Sequence, residues 1–139
     1  MIRQSLFVLA LLLSTVASAD AQATADPDFA RHVFPPELVM RYQQRIGLRP
    51  QQRSAITAAI QDVQSRMVDQ QWRMQEEAQK LGELLQATPV NEAAVLAQVD
   101  RVLGIEREVK RAQMTLLVRI KNTLTREQQA ALRTLRDST

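Results

Sequence analysis

Between Pro50 and Gln86 the chain repeats one spacing without interruption. Apolar residues stand at Ile56, Ile60, Val63, Met67, Met74, Ala78, Leu81 and Leu85, in steps of 4, 3, 4, 7, 4, 3 and 4. Residues three and four apart share a side of the chain only when the backbone is helical. Gly82 is the one weak helix former that interrupts this stripe. The pattern predicts a helix over Pro50–Gln86, roughly 55 Å long at 1.5 Å per residue. A second stripe follows at Val95, Val99, Val102, Ile105, Val109, Ala112, Leu116 and Ile120. It predicts another long helix, ending near Asn122. The stretch "ATPVNE" (Ala87–Glu92) is the turn between them, with Thr88 expected as N-cap and Pro89 at the first helical position. Two long amphipathic helices joined by a short loop form an antiparallel helical hairpin. Asp69/Arg73, Arg73/Glu77 and Glu76/Lys80 have i,i+4 spacing and are expected to pair on its solvent side.

The flanks are shorter and simpler. "FPPELVMRYQQRIG" predicts a helix over Pro36–Ile46, entered through Pro35 and Pro36 and stopped by Gly47. Upstream, Arg3 precedes the apolar run Leu6–Leu13, and Ala17–Ala19 reads A-S-A. That is the form of a secretory signal peptide over residues 1–19, too short for a spanning helix. No cysteine follows the run, which excludes lipoprotein processing. Residues 20–33 are polar and are expected to be an irregular, flexible segment, leaving residues 34–139 as a single domain. With Arg3 set aside, 17 basic residues face 15 acidic ones, too small an excess to argue for nucleic acid. An exported chain without disulfides needs rigidity from a long helical core or from a partner. Helix formers dominate and β-branched runs of period two are absent, so the fold class is all-α.

One sentence of the sequence is spoken twice. "GLRPQQRSAI" (Gly47–Ile56) and "TLTREQQAAL" (Thr123–Leu132) agree at Leu48/Leu124, Gln52/Gln128, Ala55/Ala131 and Ile56/Leu132. Thr125 and Gln128 have the T-x-x-Q spacing of a capping box, in which the hydroxyl and the amide side chain each bond the other residue's backbone N–H. Leu124, one residue before the cap, is placed for a hydrophobic staple, although its usual partner position holds Gln129. The second copy therefore marks the start of a last helix. The first copy marks the start of the long one, with Arg49 where the capping threonine would stand.

"LTREQ" (Leu124–Gln128) resembles the L-T-x-x-Q motif of the Spy/CpxP family of periplasmic proteins, which carries it before the second and the last helix, as here. "FPPELVMRYQQRIGL" (Phe34–Leu48) and Glu106–Leu132 are similar to the CnrX- and ZraP-like branch of heavy-metal sensor and resistance proteins. The resemblance spans about Phe34 to Arg136. It implies a periplasmic, hooked hairpin of four helices that pairs into an antiparallel homodimer. It further implies two kinds of work. One is ATP-independent binding of unfolded proteins or of a membrane sensor protein in the envelope stress response. The alternative is metal sensing or resistance, in which His and carboxylate side chains hold a divalent transition metal.

The residues themselves supply few reactive groups. His32 is the single histidine and a weak metal candidate, because a histidine-based site needs several converging ligands. Met67 and Met74 lie on the apolar stripe and read as packing. With no Cys, no His pair, no phosphate-binding glycine loop and no G-x-S-x-G, the inventory of an enzyme is missing. No cofactor is expected. Trp72 is the odd residue, falling about 160° from the stripe with Val68 one turn before it. The expected reading is packing under a flanking helix or a dimer partner, with client contact as the alternative. Leu96, Leu103, Met114 and Leu117 form a second stripe on the third helix, wider than one hairpin contact needs. Val68, Trp72, Leu103, Met114 and Leu117 are therefore the candidate client or dimer surface. Leu48, Gln52, Leu124, Thr125 and Gln128 are the candidate motif positions. The run Glu106–Arg111 reads as a solvated charged face.

Overall fold

The computed structural model describes residues 26–138, all helix and connecting turns. They divide into two units at His32. The first contributes one short helix, α1 (Pro27–His32), inside the stretch expected to be irregular. Asp26 explains it, since its carboxylate accepts from the Asp28 N–H at 3.0 Å and so caps the first turn.

The second unit holds α2 (Pro36–Tyr42), α3 (Pro50–Leu85), α4 (Glu92–Thr123) and α5 (Arg126–Asp137). Regular helix in α2 stops at Tyr42 instead of Ile46, and a closing turn takes over. The Leu48 N–H donates to Gln43 O at 2.9 Å and the Gly47 N–H to Gln44 O at 3.2 Å. These are the two bonds of a Schellman motif, which needs a left-handed residue next to last. Gly47 supplies it with φ +64°. The expected stop is thus where the sequence put it.

α3 and α4 pack against each other as the hairpin, and α2 packs on α5 beside one end of it. The expected cap at Thr88 is not used. Asn91 takes that role, its side chain accepting from Ala94 N–H at 3.1 Å, and Pro89 stays in the loop. Asn is the stronger cap, and its position adjoins the acidic first-turn residue Glu92.

The hairpin seam has coiled-coil spacing. On α3 it begins with buried Gln52, Ile56, Ala59 and Val63 and continues through half-buried Met67, Gln70, Met74, Glu77, Leu81 and Leu84. On α4 it runs through Gln98, Ile105 and Ala112, seven residues apart. Steps of three and four, alternating except for two successive fours at Ala59, Val63 and Met67, keep the seam facing its partner.

The fully buried residues gather at one end, which we call the base. Phe34, Val39, Ile56, Ile120, Leu124 and Leu132 form the core there, with Leu38, Tyr42, Ile46, Leu48, Ile60 and Leu116 packed around it. The guanidinium groups of Arg133 and Arg136 lie 5.6 and 5.4 Å from the Phe34 ring centre, and Arg136 also donates to Val33 O at 2.6 Å. Towards the tip only two helices remain, so the same stripe that is buried at Ile56 and Val63 is half-covered at Met74 and exposed at Leu85.

Gly82 and Gly104 sit inside α3 and α4, and a Cβ at either would meet nothing within 4 Å. Neither glycine is required by packing, so each only loosens its helix. Gly82→Ala and Gly104→Ala should each stabilise the protein by about 0.5–1 kcal/mol, read by urea denaturation.

Candidate functional site

The two copies of the repeat meet. Gln52 Nε2 donates to Gln128 Oε1 at 2.8 Å, and Gln128 Nε2 donates back to Gln52 Oε1 at 3.0 Å. Each amide also closes its own helix start. Gln52 Oε1 accepts from Arg49 N–H at 3.0 Å and Gln128 Oε1 from Thr125 N–H at 3.0 Å. The remaining donors cross over: Gln52 Nε2 reaches Thr123 O at 2.9 Å, and Gln128 Nε2 reaches Gly47 O at 3.4 Å. Thr123 and Gly47 are equivalent positions of the two copies, each five residues before its glutamine. The arrangement is a local pseudo-two-fold in which both donors and both lone pairs of each buried amide are used. Gln128 is legible in the sequence as half of a capping box; the mutual pairing has one visible signal there, the same uncharged side chain kept in both copies.

The second copy is a complete capping box, since Thr125 Oγ1 also accepts from Gln128 N–H at 3.1 Å. The first copy is only half of one, because a guanidinium has no acceptor to offer. Leu124 does not staple to Gln129. It ends α4 and is buried in the core, while Gln129 Nε2 donates to Lys121 O and Leu124 O.

Two polar contacts tie the hairpin farther out. Arg119 Nη1 donates to Asp62 Oδ2 at 2.7 Å, with Arg66 on the other carboxylate oxygen at 3.3 Å. The Arg119 bond, helped by Arg66, holds the Asp62 carboxyl below its usual range. Nearer the tip, Gln98 Nε2 donates to Glu77 O at 2.8 Å and to Glu77 Oε2 at 2.6 Å. The Gln98 bond, then the Lys80 bond, lower the Glu77 pKa, and Glu76 and Glu77 raise that of Lys80. Of the expected i,i+4 pairs, Glu76/Lys80 forms at 3.0 Å. Arg73 instead donates to Gln70, and Glu77 is engaged by Lys80 and Gln98.

Among the described residues nothing covers the candidate client or dimer surface, which the fold splits between the two outer sides of the hairpin. Trp72 is 69% exposed and Val68 52%, so the expected packing under α2 or α5 does not occur. Those helices lie at the base, while Trp72 lies farther out and half a turn away from seam residue Val63, at about 100° per residue. On the back of α4, Leu103 is 49% and Met114 43% exposed, with Leu96 and Val118 also open and Leu117 half-buried. Trp72 is bordered by Asp69, Arg73 and Glu76. Glu77 is not part of that border, because it turns to the seam and is mostly covered.

His32 ends α1, with Nε2 3.8 Å from Asp28 Oδ1, both exposed. Among the described residues no three His, Cys, Asp or Glu side chains converge as a metal site would need. No described helix is long and apolar enough to cross a membrane. The expected signal peptide lies outside the described residues.

Thr125→Ala should destabilise the protein by about 1 kcal/mol, the usual worth of an N-cap, while Thr125→Ser should be nearly neutral. Arg49→Thr should stabilise, because it completes the half-built box. Chemical denaturation of the three variants checks this, and a Thr125→Ala protein as stable as wild type would mean the box is not bearing on the fold.

Comparison with known families places this geometry. A family model described as heavy-metal resistance matches residues 5–137. No curated protein and no solved structure matches the chain. The matched span takes in the whole hairpin, both copies of the repeat and both flanking helices, and the chain therefore belongs to the heavy-metal resistance family, which is related to the Spy/CpxP- and ZraP-like periplasmic proteins.

Proposed function

We propose that the protein serves heavy-metal resistance as a non-enzymatic binding protein of the periplasm. It holds unfolded polypeptides, or the exposed segment of a membrane sensor, without ATP. The observation that carries this reading is the exposure of large apolar side chains on both outer sides of the hairpin, Trp72 and Val68 on the back of α3 and Leu103 and Met114 on the opposite side, on the back of α4, with Trp72 the most exposed. An isolated large apolar patch on a soluble helix usually marks an interaction site. The charged residues around Trp72 favour encounter and the apolar contact supplies affinity, neither of which demands a particular client sequence. The same supply of uncovered apolar area on a two-helix tip supports a homodimer, and Trp72 belongs either to that seam or to the client surface.

The second reading is a metal-responsive protein, favoured by the family description and by His32 beside Asp28. A dimer would bring at most two such histidines, and carboxylates would have to complete the shell.

Trp72→Ala separates the roles when aggregation suppression and sedimentation are measured with and without Zn²⁺, Ni²⁺ and Cu²⁺. A client surface predicts weaker suppression with dimer and melting temperature unchanged. A dimer seam predicts dissociation together with lost stability. A variant that stays dimeric and suppresses as well as wild type would contradict both, and a tight metal site lost in His32→Ala would favour the metal-responsive reading.

A further inference from the structure

The charges of the helical unit are sorted along its length. From Leu38 to Gln61 there are four arginines, Arg41, Arg45, Arg49 and Arg53, and no carboxylate. They follow one another at intervals of four residues across the end of α2, the Schellman turn and the first turn of α3. Arg126 opens α5 beside them, since Gln128 of that helix bonds the carbonyls of Ile46 and Gly47. All five arginines are exposed. Among the described residues none of the five takes part in an ion pair, whereas Arg66 and Arg119 are held by Asp62 and Lys80 by Glu76 and Glu77. The tip has the opposite balance: between Met74 and Asp100 the charged residues are Glu76, Glu77, Glu83, Glu92 and Asp100 against Lys80.

The structure assigns the base a second role, independent of the surface around Trp72: we propose that it docks peripherally on an anionic lipid surface, with the acidic tip directed away. Three features select this partner. Every member of the cluster is arginine, whose planar fork pairs with phosphate through two parallel bonds. The charges are spread over α2, a turn and the starts of two other helices, a distribution suited to many lipid headgroups at once. Met40, 54% exposed and next to Arg41, offers apolar contact at headgroup depth. Basic residues near an anionic membrane act additively, and the field that attracts the base repels the tip.

The test is co-sedimentation of the purified protein with vesicles of phosphatidylglycerol mixed with phosphatidylcholine, against phosphatidylcholine alone. The readout is the ratio of anionic to neutral binding, compared between wild type and variants that share residues 1–19, so that any contribution of Arg3 and the apolar run cancels. Wild type should prefer the anionic vesicles and lose that preference as salt is raised. Combined Arg45→Gln, Arg49→Gln and Arg53→Gln should lower the ratio roughly tenfold or more. Arg49 makes no side-chain cap bond, and circular dichroism checks that the variant keeps its helix content. Combined Arg73→Gln, Arg101→Gln and Arg107→Gln has the same net charge but spares the base, and should change the ratio by no more than about twofold. Equal binding to both vesicles, or equal loss in the two triple variants, would overturn the proposal. Binding to soluble polyglutamate with none to vesicles would also overturn it, in favour of an acidic polypeptide.

Discussion

The base of this fold depends on two glutamine side chains. A buried amide left without partners costs about 1–3 kcal/mol, so a pair of them is tolerated only when every donor and acceptor is met. Gln52 and Gln128 meet that condition with the starts of α3 and α5 side by side, the turn after α2 presenting Gly47 O and the end of α4 presenting Thr123 O. Apolar contacts around Ile120 and Leu132 supply most of the favourable energy, but they would accept sliding by a turn. The amide pair does not, because a shift of one residue would leave several hydrogen-bonding groups buried and unmet. It acts as the register pin of an otherwise repetitive helical structure.

Fixing the register at one end leaves the other end free for interaction. The base has four helices and a closed core, and from there two helices project without cover. Their mutual seam is satisfied, with Gln98 on Glu77 and Arg119 on Asp62, while their backs present Trp72, Val68, Leu103 and Met114. A two-helix projection cannot bury more than one stripe per helix, so additional apolar residues remain exposed until a partner covers them. Membership of the heavy-metal resistance family gives the coarse role, and these exposed residues are what the proposed binding role rests on.

Much of the fold could be read from spacing. The two long helices and the stop at Gly47 appear where periodicity and turn chemistry placed them, because helix period and left-handed backbone are local properties, although near the tip Glu77 and Leu84 take the seam in place of the expected Ala78 and Leu85. The Thr125–Gln128 box was legible for the same reason. What failed was competition between neighbouring candidates: Thr88 and Asn91 both suit an N-cap, and only the three-dimensional loop decides for Asn91. The short helix α1 is not legible in the sequence, because six residues give no period. Trp72 could be placed off the stripe, but whether α2 or α5 reached it depends on where those helices dock. Glu77 has the spacing of a solvent-side partner for Arg73, but its position on the seam places it opposite Gln98. The crossed bonds of Gln52 and Gln128 join residues 76 apart, and the repeat hinted at equivalence without showing contact.

The central claim is that the two copies act through each other. The direct measurement is a double-mutant cycle by chemical denaturation of Gln52→Leu, Gln128→Leu and the double variant. Each single change strands the other amide, whereas the double change removes both. The account predicts that the double variant loses less stability than the two singles added together, with a coupling of about 1–3 kcal/mol. Losses that add to within about 0.5 kcal/mol would show that the glutamines act only as separate helix caps, and would contradict it.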